Sequence, residues 1–229
     1  MHISLSPRLQ VCAGLVVPGD RVADIGCDHG YLSIYLLKNN IASAVIASDI
    51  REMPLQSAMR NAEKYGVQDK ISFHLSDGVQ SIPRDFDTLV CAGMGADTMI
   101  SILDAAPWLH TEQYRLILQC QSKTPMLRQY LSEQGWRITE ESVVRDGRFL
   151  YTIMEVLWQP DYPRLTVGEW YFPPALLENP ARELPEYYRW VVDSLRITTN
   201  YTDDTEKLQA LQELEALAQD AALTWLKEE

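Results

Sequence analysis

The feature of the sequence that most constrains its fold is a regular alternation of short apolar runs with amphipathic segments. Apolar runs predict strands, and the segments between them have the length and the end signals of helices. The predicted strands are 22–26, 44–49, 71–75, 88–92 and 115–119, and the predicted helices are 6–16, 30–38, 54–66, 96–105 and 124–134. This spacing predicts an α/β fold, a Rossmann-like parallel sheet with helices on both faces.

A β-hairpin follows the last of these helices. Two β-rich runs, 137–145 and 149–158, flank the dipeptide Asp146-Gly147. Asp-Gly between two such runs is a strong hairpin signal. We expect the hairpin to form one edge of the sheet.

The composition changes near residue 160. Six of the 12 prolines lie between residues 160 and 185, which predicts an irregular linker on the surface. Beyond it, 186–197 and 203–227 have helical patterns, and Asp203 with Glu206 resembles a capping box. We therefore expect a main domain, residues 1–159, followed by a linker and a small, coiled-coil-like α-helical hairpin, residues 160–229.

The loop after the first strand carries the most informative motif, Asp24–Gly30, which reads DIGCDHG. Gly26 lets the backbone pass close to a ligand, and Gly30 allows a tight turn into the helix. A dinucleotide-binding loop has a glycine where this loop has Asp28. A carboxylate there repels a pyrophosphate but suits a ligand that carries an ammonium and a sulfonium. A tight turn without a ligand is the alternative.

Two more carboxylates follow successive strands. Asp49 ends the second strand, where it can accept hydrogen bonds from the vicinal hydroxyls of a ribose. Asp77 follows the third strand and can accept one from an adenine amino group, while Gly78 leaves room for the ring. Each aspartate could instead cap a turn. An adenosyl ligand without phosphate accounts for them together, which predicts S-adenosyl-L-methionine as the cofactor and not NAD.

Several motifs resemble those of the bacterial tRNA (adenine-22-N1)-methyltransferase family. They are Asp24–Leu32 (DIGCDHGYL), the strand end Ala47–Asp49, Ala92–Gly95 (AGMG) and the opening Leu5–Leu9. The resemblance extends over essentially the whole chain. It implies a class I methyltransferase fold with a helical C-terminal hairpin, tRNA as the partner, and methyl transfer to N1 of an adenosine at position 22.

The motifs and the resemblance together predict the residues of the site. The expected cofactor contacts are Asp24, Gly26, Asp28, Gly30, Tyr31, Asp49, Asp77, Gly78, Ala92 and Gly93. The expected catalytic positions are Asp28, His29 and Met94. Asp28 or His29 could remove the surplus proton after transfer, and the alternative for His29 is a hydrogen bond that shapes the loop.

The segment Ala92–Gly95 bears on which atom is methylated. Methyltransferases that act on exocyclic amines carry an (Asn/Asp/Ser)-Pro-Pro-(Tyr/Phe) pattern there, which this chain lacks. Ring N1 of adenine already has an in-plane lone pair and needs little beyond positioning. The chain also departs from the family pattern after the fifth strand, since Leu118–Gln121 reads LQCQ where a Pro-Asn pair is common. This departure lies near the expected acceptor pocket.

The charge distribution restricts how RNA could bind. The net charge is −12, and residues 160–229 hold 6 basic and 14 acidic residues. RNA contacts must then come from a local basic face on the N-terminal part. The candidates are Arg8, Lys123, Arg128, Arg145 and Arg148, with Arg8 and Lys123 expected nearest the pocket. Solvated surface charge is the alternative for each.

Other features set the expected context. No run approaches the ~18–20 apolar residues that span a bilayer, and the N-terminus lacks a signal-peptide pattern. The four cysteines, Cys12, Cys27, Cys91 and Cys120, have no metal-like spacing, so we expect buried free thiols. We expect a cytoplasmic monomer without metal or membrane contact. A small-molecule methyltransferase and a non-catalytic adenosylmethionine-binding module are the alternative functions.

Overall fold

A computed structural model describes residues 3–201, 203–220 and 222–227. These described residues form a seven-stranded sheet with the strand order β3-β2-β1-β4-β5-β7-β6. The strands are β1 (Arg21–Ile25), β2 (Ala44–Asp49), β3 (Ile71–Leu75), β4 (Thr88–Met94), β5 (Arg115–Cys120), β6 (Trp136–Asp146) and β7 (Phe149–Trp158). Strands β1 to β5 pair in parallel, and β7 pairs antiparallel with both β5 and β6. The predicted Rossmann-like fold is confirmed.

Helices cover both faces of this sheet. They are α1 (Pro7–Leu15), α2 (Tyr31–Lys38), α3 (Glu52–Tyr65), α4 (Ala96–Asp104) and α5 (Thr124–Glu133), each within two residues of its predicted bounds. One core cluster joins α4 and α5 to the sheet, and a second joins α1, α2 and α3 to its other face. Neighbouring residues of β4 belong to different clusters: Leu89 is part of the first, and Val90 is part of the second. Burial on both faces explains why the strands are continuous apolar runs.

The predicted hairpin is confirmed. Asp146 pairs with Phe149, so Gly147 and Arg148 form a two-residue connection between β6 and β7. Gly147 has a φ of 62°, in the left-handed region that such tight turns require. The turn lies beside the carboxyl end of β5, because β7 runs antiparallel to β5.

The C-terminal part contains α6 (Val167–Tyr171), α7 (Ala175–Glu178), α8 (Leu184–Thr199) and α9 (Thr205–Leu217). Two expectations about where helices begin need correction. The proline-rich segment is not wholly irregular, because Thr166 and Glu169 form a capping box that starts α6. Asp204, and not Asp203, caps α9 by accepting a hydrogen bond from the amide of Lys207 at 3.1 Å.

Helix α9 ends at Leu217, well before the predicted end at 227. It packs against α8, where the Tyr188 hydroxyl donates to the carbonyl of Leu214 at 2.7 Å. The core of this part includes Val143 of β6 together with Tyr187 and Leu195. The C-terminal helices thus rest on the hairpin of the main sheet. The antiparallel, coiled-coil-like arrangement and the boundary at residue 160 stay predictions.

The sequence predicted that Arg128 contacts RNA, and this prediction is wrong. Its side chain and that of Glu141 are fully buried, with Nη2 of Arg128 2.6 Å from Oε1 of Glu141. The guanidinium also donates to the carbonyls of Trp170 and Tyr171, at 3.0 and 2.8 Å. Arg128 therefore joins α5, β6 and α6 from the inside and is inaccessible to a phosphate.

The four cysteines are free and buried, as expected. Burial raises the pKa of Cys12 and that of Cys91, each to about 12, so both are thiols at neutral pH. Within the described ranges, no group of three or more metal-binding side chains comes together. No helix in the described part of the chain is long and apolar enough to cross a membrane.

Candidate active site

A cavity of about 410 Å³ lies at the carboxyl ends of β1, β2 and β4 and beside the loop that follows β3. This edge of a parallel sheet is where α/β folds of this kind bind nucleotides. Nine of the residues selected from the sequence line it: Arg8, Gly26, Asp28, Asp49, Asp77, Gly78, Ala92, Gly93 and Met94. The structure therefore brings most of the predicted site together.

The loop after β1 is held against β2 and β4. The amides of Gly26 and Cys27 both donate to the carbonyl of Ser48, each at 2.8 Å. Gly26 has a φ of +72°, and a Cβ built there would lie 2.3 Å from Cε of Met94. A side chain at this position would therefore displace Met94. Gly26 keeps the backbone close to the opposite wall of the cavity.

Asp49 is buried at the end of β2. Its Oδ2 accepts from the amide of Asp28 at 3.1 Å, and its Oδ1 accepts from the amide of Arg51 at 2.9 Å. Asp49 thus ties the loop after β1 to the start of α3, which is the capping role weighed as its alternative. Each carboxylate oxygen has a second lone pair for a ligand. The same side chain can hold the loop and face the cavity.

Asp77 and Gly78 form the wall contributed by the loop after β3. Asp77 is exposed at the cavity. Gly78 has a φ of +55°, and a Cβ there would lie 2.8 Å from Cγ1 of Ile102 in α4. The hydroxyl of Ser76 donates to the carbonyl of Gly78 at 3.0 Å and holds the loop in this shape. Gly78 is the residue that lets the loop approach α4.

The end of β4 carries a bulge. The pairing with β5 shifts between Ala92 and Met94, and Gly93 between them has a φ of +86°. Bulges of this kind redirect the chain beside functional sites. Here the bulge places Ala92, Gly93 and Met94 along one wall of the cavity.

Four of the predicted cofactor-binding or catalytic residues lie outside the cavity. Asp24 is buried and accepts a hydrogen bond from the Ser33 hydroxyl at 2.6 Å. Burial raises the pKa of Asp24 to about 6. A Cβ on Gly30 would lie 2.9 Å from Cβ of Ala58, so Gly30 lets α3 pack closely. These two residues support the loop from behind, and neither lines the cavity.

His29 and Tyr31 are exposed beside the same loop. Nε2 of His29 lies 3.8 Å from Oδ2 of Asp28, and its ring centroid lies 6.1 Å from that of Tyr31. Neither side chain lines the cavity. A proton could pass between His29 and Asp28 only after a small movement of the exposed imidazole.

A second depression, which we call the aromatic groove, begins where β5 ends. It has a volume of about 470 Å³ and lies between the carboxyl end of β5, the hairpin and α8. Its aromatic lining residues are Phe149, Tyr151, Tyr171, Tyr187 and Trp190. Phe149 and Trp190 are 51% and 61% exposed, which leaves ring surface available to a partner. Rings of this kind can stack on nucleobases.

A backbone hydrogen bond links the wall of the groove to the wall of the cavity. The amide of Gln121, which lines the groove, donates to the carbonyl of Met94, which lines the cavity, at 2.8 Å. The sequence pattern did not predict the groove, because its residues come from segments far apart in the chain. Its one local signal was the departure at Leu118–Gln121.

Two of the three exposed basic candidates pair with carboxylates, and the third lies over an aromatic ring. Lys123 Nζ lies 2.9 Å from Oδ2 of Asp97, and this contact holds the pKa of Asp97 below its usual range. Arg145 pairs with Glu186 of α8. Arg148 is exposed and lies over the Phe149 ring, with Cζ 4.8 Å from the centroid. All three surround the groove or its hairpin wall.

Arg8 belongs to the cavity. Its Nη1 donates to Oε1 of Gln119 at 2.9 Å, and its Nε lies 3.5 Å from Oδ2 of Asp146. Helix α1 therefore connects the cavity to the end of β5 and to the hairpin turn. The expectation that Arg8 lies at the pocket is correct in position, and a contact with RNA stays a prediction.

The comparisons with known proteins agree with this geometry. The family described as "Methyltransferase domain" matches residues 5–154. The tRNA (adenine(22)-N(1))-methyltransferase of Bacillus subtilis is 34% identical over 154 residues, which cover 67% of this chain and 65% of that relative. The chain thus matches slightly less than two thirds of that relative's length.

Solved structures cover more of the chain. The Streptococcus pneumoniae protein Sp1610, in complex with S-adenosyl-L-methionine, has a TM-score of 0.81 at 28% identity, covering 93% of this chain and 99% of its own. TrmK of M. capricolum, in complex with S-adenosyl-homocysteine, has a TM-score of 0.77 at 25% identity, covering 95% and 97%.

The sheet order and the cavity at its carboxyl edge define a class I methyltransferase. The chain belongs to the methyltransferase-domain family, whose model spans residues 5–154, and it is similar to the tRNA (adenine(22)-N(1))-methyltransferase of Bacillus subtilis. This confirms the resemblance drawn from the motifs around Asp24–Leu32 and Ala92–Gly95.

Proposed function

We propose that this protein is an S-adenosyl-L-methionine-dependent methyltransferase that acts on N1 of an adenosine in tRNA, at position 22 by similarity to its relatives. The observation that carries the proposal is that a cavity with three carboxylates lies beside an aromatic groove, with a backbone hydrogen bond between Gln121 in the groove and Met94 in the cavity. One compartment suits an adenosyl cofactor, and the other suits a nucleobase.

The cavity fits the cofactor by charge and by size. Asp28, Asp49 and Asp77 line it together with Arg8 and Arg51, so carboxylates outnumber guanidinium groups and disfavour a pyrophosphate. A volume of about 410 Å³ lies in the range of cavities that hold small ligands. The free lone pairs of Asp49 suit the ribose hydroxyls, and Asp77 suits the adenine amine. When bound, the cofactor supplies a methyl group activated by a sulfonium.

The target base is proposed to enter the aromatic groove. Base stacking on aromatic rings contributes about 1–3 kcal/mol per base and requires the base to leave its own stack. The wall at Ala92, Gly93 and Met94 offers backbone and no side-chain group to deprotonate an amine. This favours ring N1, where alignment of the lone pair with the methyl group is the main requirement.

The proposed catalytic residues have distinct parts. Met94 shapes the wall between the two compartments and holds the amide of Gln121 through its carbonyl. Methyl transfer to N1 moves no proton, so Asp28 and His29 are proposed to act afterwards, on the charged product. Asp28 lines the cavity and His29 stands behind it at the surface.

The surroundings of the groove support tRNA as the partner. Lys123, Arg145 and Arg148 lie near it, although the chain as a whole is acidic. Action as a monomer stays a prediction. A tRNA substrate places the reaction in the cytoplasm.

The test is transfer of labelled methyl groups from S-adenosyl-L-methionine to unmodified bulk tRNA, with a pool of small-molecule acceptors in parallel. Label in tRNA supports the proposal. Label only in the small molecules would identify a small-molecule enzyme, and cofactor binding without transfer to either would identify a non-catalytic module.

A further inference from the structure

Gln119 sits at the centre of a hydrogen-bond network whose polarity is determined by its partners. Its side chain is completely buried at the end of β5. Nε2 donates to the carbonyl of Cys120 at 3.0 Å, and Oε1 accepts from Nη1 of Arg8 at 2.9 Å. A carbonyl can only accept and a guanidinium can only donate, so the Gln119 amide has one permitted orientation.

This orientation determines that of Gln121. The Oε1 of Gln119 also accepts from Nε2 of Gln121 at 2.9 Å. The reverse orientation of the Gln121 amide would bring two acceptor oxygens together. Arg8 therefore acts through Gln119 to turn the Oε1 of Gln121 away from the network.

The location of Gln121 determines what its Oε1 can contact. The Gln121 side chain is exposed and lines the aromatic groove. The backbone amide of Gln121 donates a hydrogen bond to the carbonyl of Met94 in the cavity wall. A base that entered the groove with its reacting edge towards the cavity would pass this side chain.

We propose that Oε1 of Gln121 accepts a hydrogen bond from the exocyclic N6 amine of the target adenine and thereby selects adenine. Guanine carries an acceptor oxygen at the corresponding position, which Oε1 would repel. The inference rests on the proposed function, since it places the acceptor base in the groove. Gln121 is then a specificity-determining residue, and Arg8 and Gln119 are positioning residues.

The chemistry of the transfer strengthens this contact. The N1 lone pair of the neutral adenine forms the bond to the methyl carbon, while the carbon–sulfur bond breaks and leaves its electron pair on sulfur. The positive charge passes from the sulfonium to the adenine ring and is shared with the N6 amine. Because the amine becomes a stronger donor, its hydrogen bond to Gln121 is stronger in the transition state than in the ground state.

The test uses two tRNA transcripts that differ at the target nucleotide. One carries adenosine, and the other carries purine riboside, which keeps N1 but lacks the amine. Wild type should favour adenosine in kcat/KM by about 10- to 100-fold, the range of a hydrogen bond to a charged group. Gln121→Leu should lose the part of this preference that the hydrogen bond supplies and keep only the part that comes from electron donation by the amine to N1, whereas the matched variant Gln129→Leu, on α5, should keep the full preference.

Binding of both transcripts in the presence of S-adenosyl-homocysteine gives a readout that is independent of turnover. Gln121→Leu should bind the two equally, whereas wild type should bind the adenosine transcript more tightly. A full adenosine preference in Gln121→Leu overturns the inference, as does equal use of both transcripts by wild type. If wild type forms no 1-methyladenosine in the adenosine transcript, the proposed function fails and the inference with it.

Discussion

Arg128 and Glu141 form an ion pair from which solvent is completely excluded. The hydroxyl of Tyr187 in α8 accepts a further hydrogen bond from Nη2 of Arg128 at 3.2 Å. Because Tyr187 also lines the aromatic groove, the buried pair positions one wall of the proposed acceptor site. The C-terminal helices are thus joined to the main sheet by a charged contact inside the protein.

Removing one member of this pair should destabilise the protein strongly. Arg128→Met leaves Glu141 as an uncompensated buried charge, a change that costs about 3–5 kcal/mol. The double variant Arg128→Met/Glu141→Leu should recover much of the loss, since two apolar side chains need no partner. Urea unfolding measures both. A loss below about 1 kcal/mol for Arg128→Met would contradict the burial.

Asp49 should be needed for cofactor binding. Asp49→Ala removes the acceptor proposed for the ribose hydroxyls and should weaken S-adenosyl-L-methionine binding by about 1.5–3 kcal/mol. Asp49→Asn is the control that keeps one acceptor oxygen, and it should lose less. Calorimetry measures binding, with NAD as a ligand that should not bind. If a folded Asp49→Ala protein bound the cofactor with unchanged affinity, the role of Asp49 would be only structural, through its hydrogen bonds with Asp28 and Arg51.

Basic residues near the groove should make tRNA binding sensitive to salt. Arg8 lines the cofactor cavity, so replacing it would change cofactor binding as well as tRNA binding. Lys123 and Arg148 lie outside this cavity and are therefore better choices for testing the effect of charge alone. Lys123→Ala and Arg148→Ala should each weaken tRNA binding and lower the slope of log affinity against log salt by about 1. Lys207→Ala is a matched control, since Lys207 also pairs with a carboxylate but lies on α9. An unchanged slope in both variants would place the basic face elsewhere.

The buried Asp24 should make stability depend on pH. Burial raises its pKa from 3.8 to about 6, so the folded protein binds this proton more tightly than the unfolded chain does. The contribution of Asp24 to the free energy of unfolding is therefore present at low pH and lost as the pH rises from about 4 to 6. The stability of Asp24→Asn relative to wild type should rise across this window, by up to about 3 kcal/mol.

Urea unfolding between pH 4 and pH 7 tests this prediction. Asp69→Asn, the same change at an exposed aspartate, is the control and should follow wild type. Parallel pH profiles for Asp24→Asn and wild type would show that the Asp24 carboxyl does not titrate in this window.

The parts of the site that local patterns predicted are those that depend on neighbouring strand ends. Asp49, Asp77 and Gly78 each follow a strand, and the carboxyl ends of parallel strands meet at one edge of the sheet. The alternation of strands and helices therefore predicted both the fold and the cofactor cavity. Asp24 was predicted to contact the cofactor. Side chains alternate between the two faces of β1, however, and the side chain of Asp24 lies on the face behind the loop.

Features that depend on distant contacts were not predictable in this way. Arg128 has the same local setting as an exposed helix residue, and its burial depends on Glu141 in β6 and on the carbonyls of Trp170 and Tyr171. The aromatic groove likewise requires Phe149 and Trp190 to meet across the hairpin and α8. Periodicity along the chain carries no information about such pairings.

The most direct test of the proposed function is identification of the methylated nucleoside. The protein is incubated with S-adenosyl-L-methionine and an unmodified tRNA transcript that carries adenosine at position 22. The product is then digested and compared with standards of 1-methyladenosine and N6-methyladenosine by chromatography and mass spectrometry. We predict 1-methyladenosine, and its loss when the adenosine at position 22 is replaced by guanosine. N6-methyladenosine as the main product, or no methylated adenosine, would contradict the proposed function.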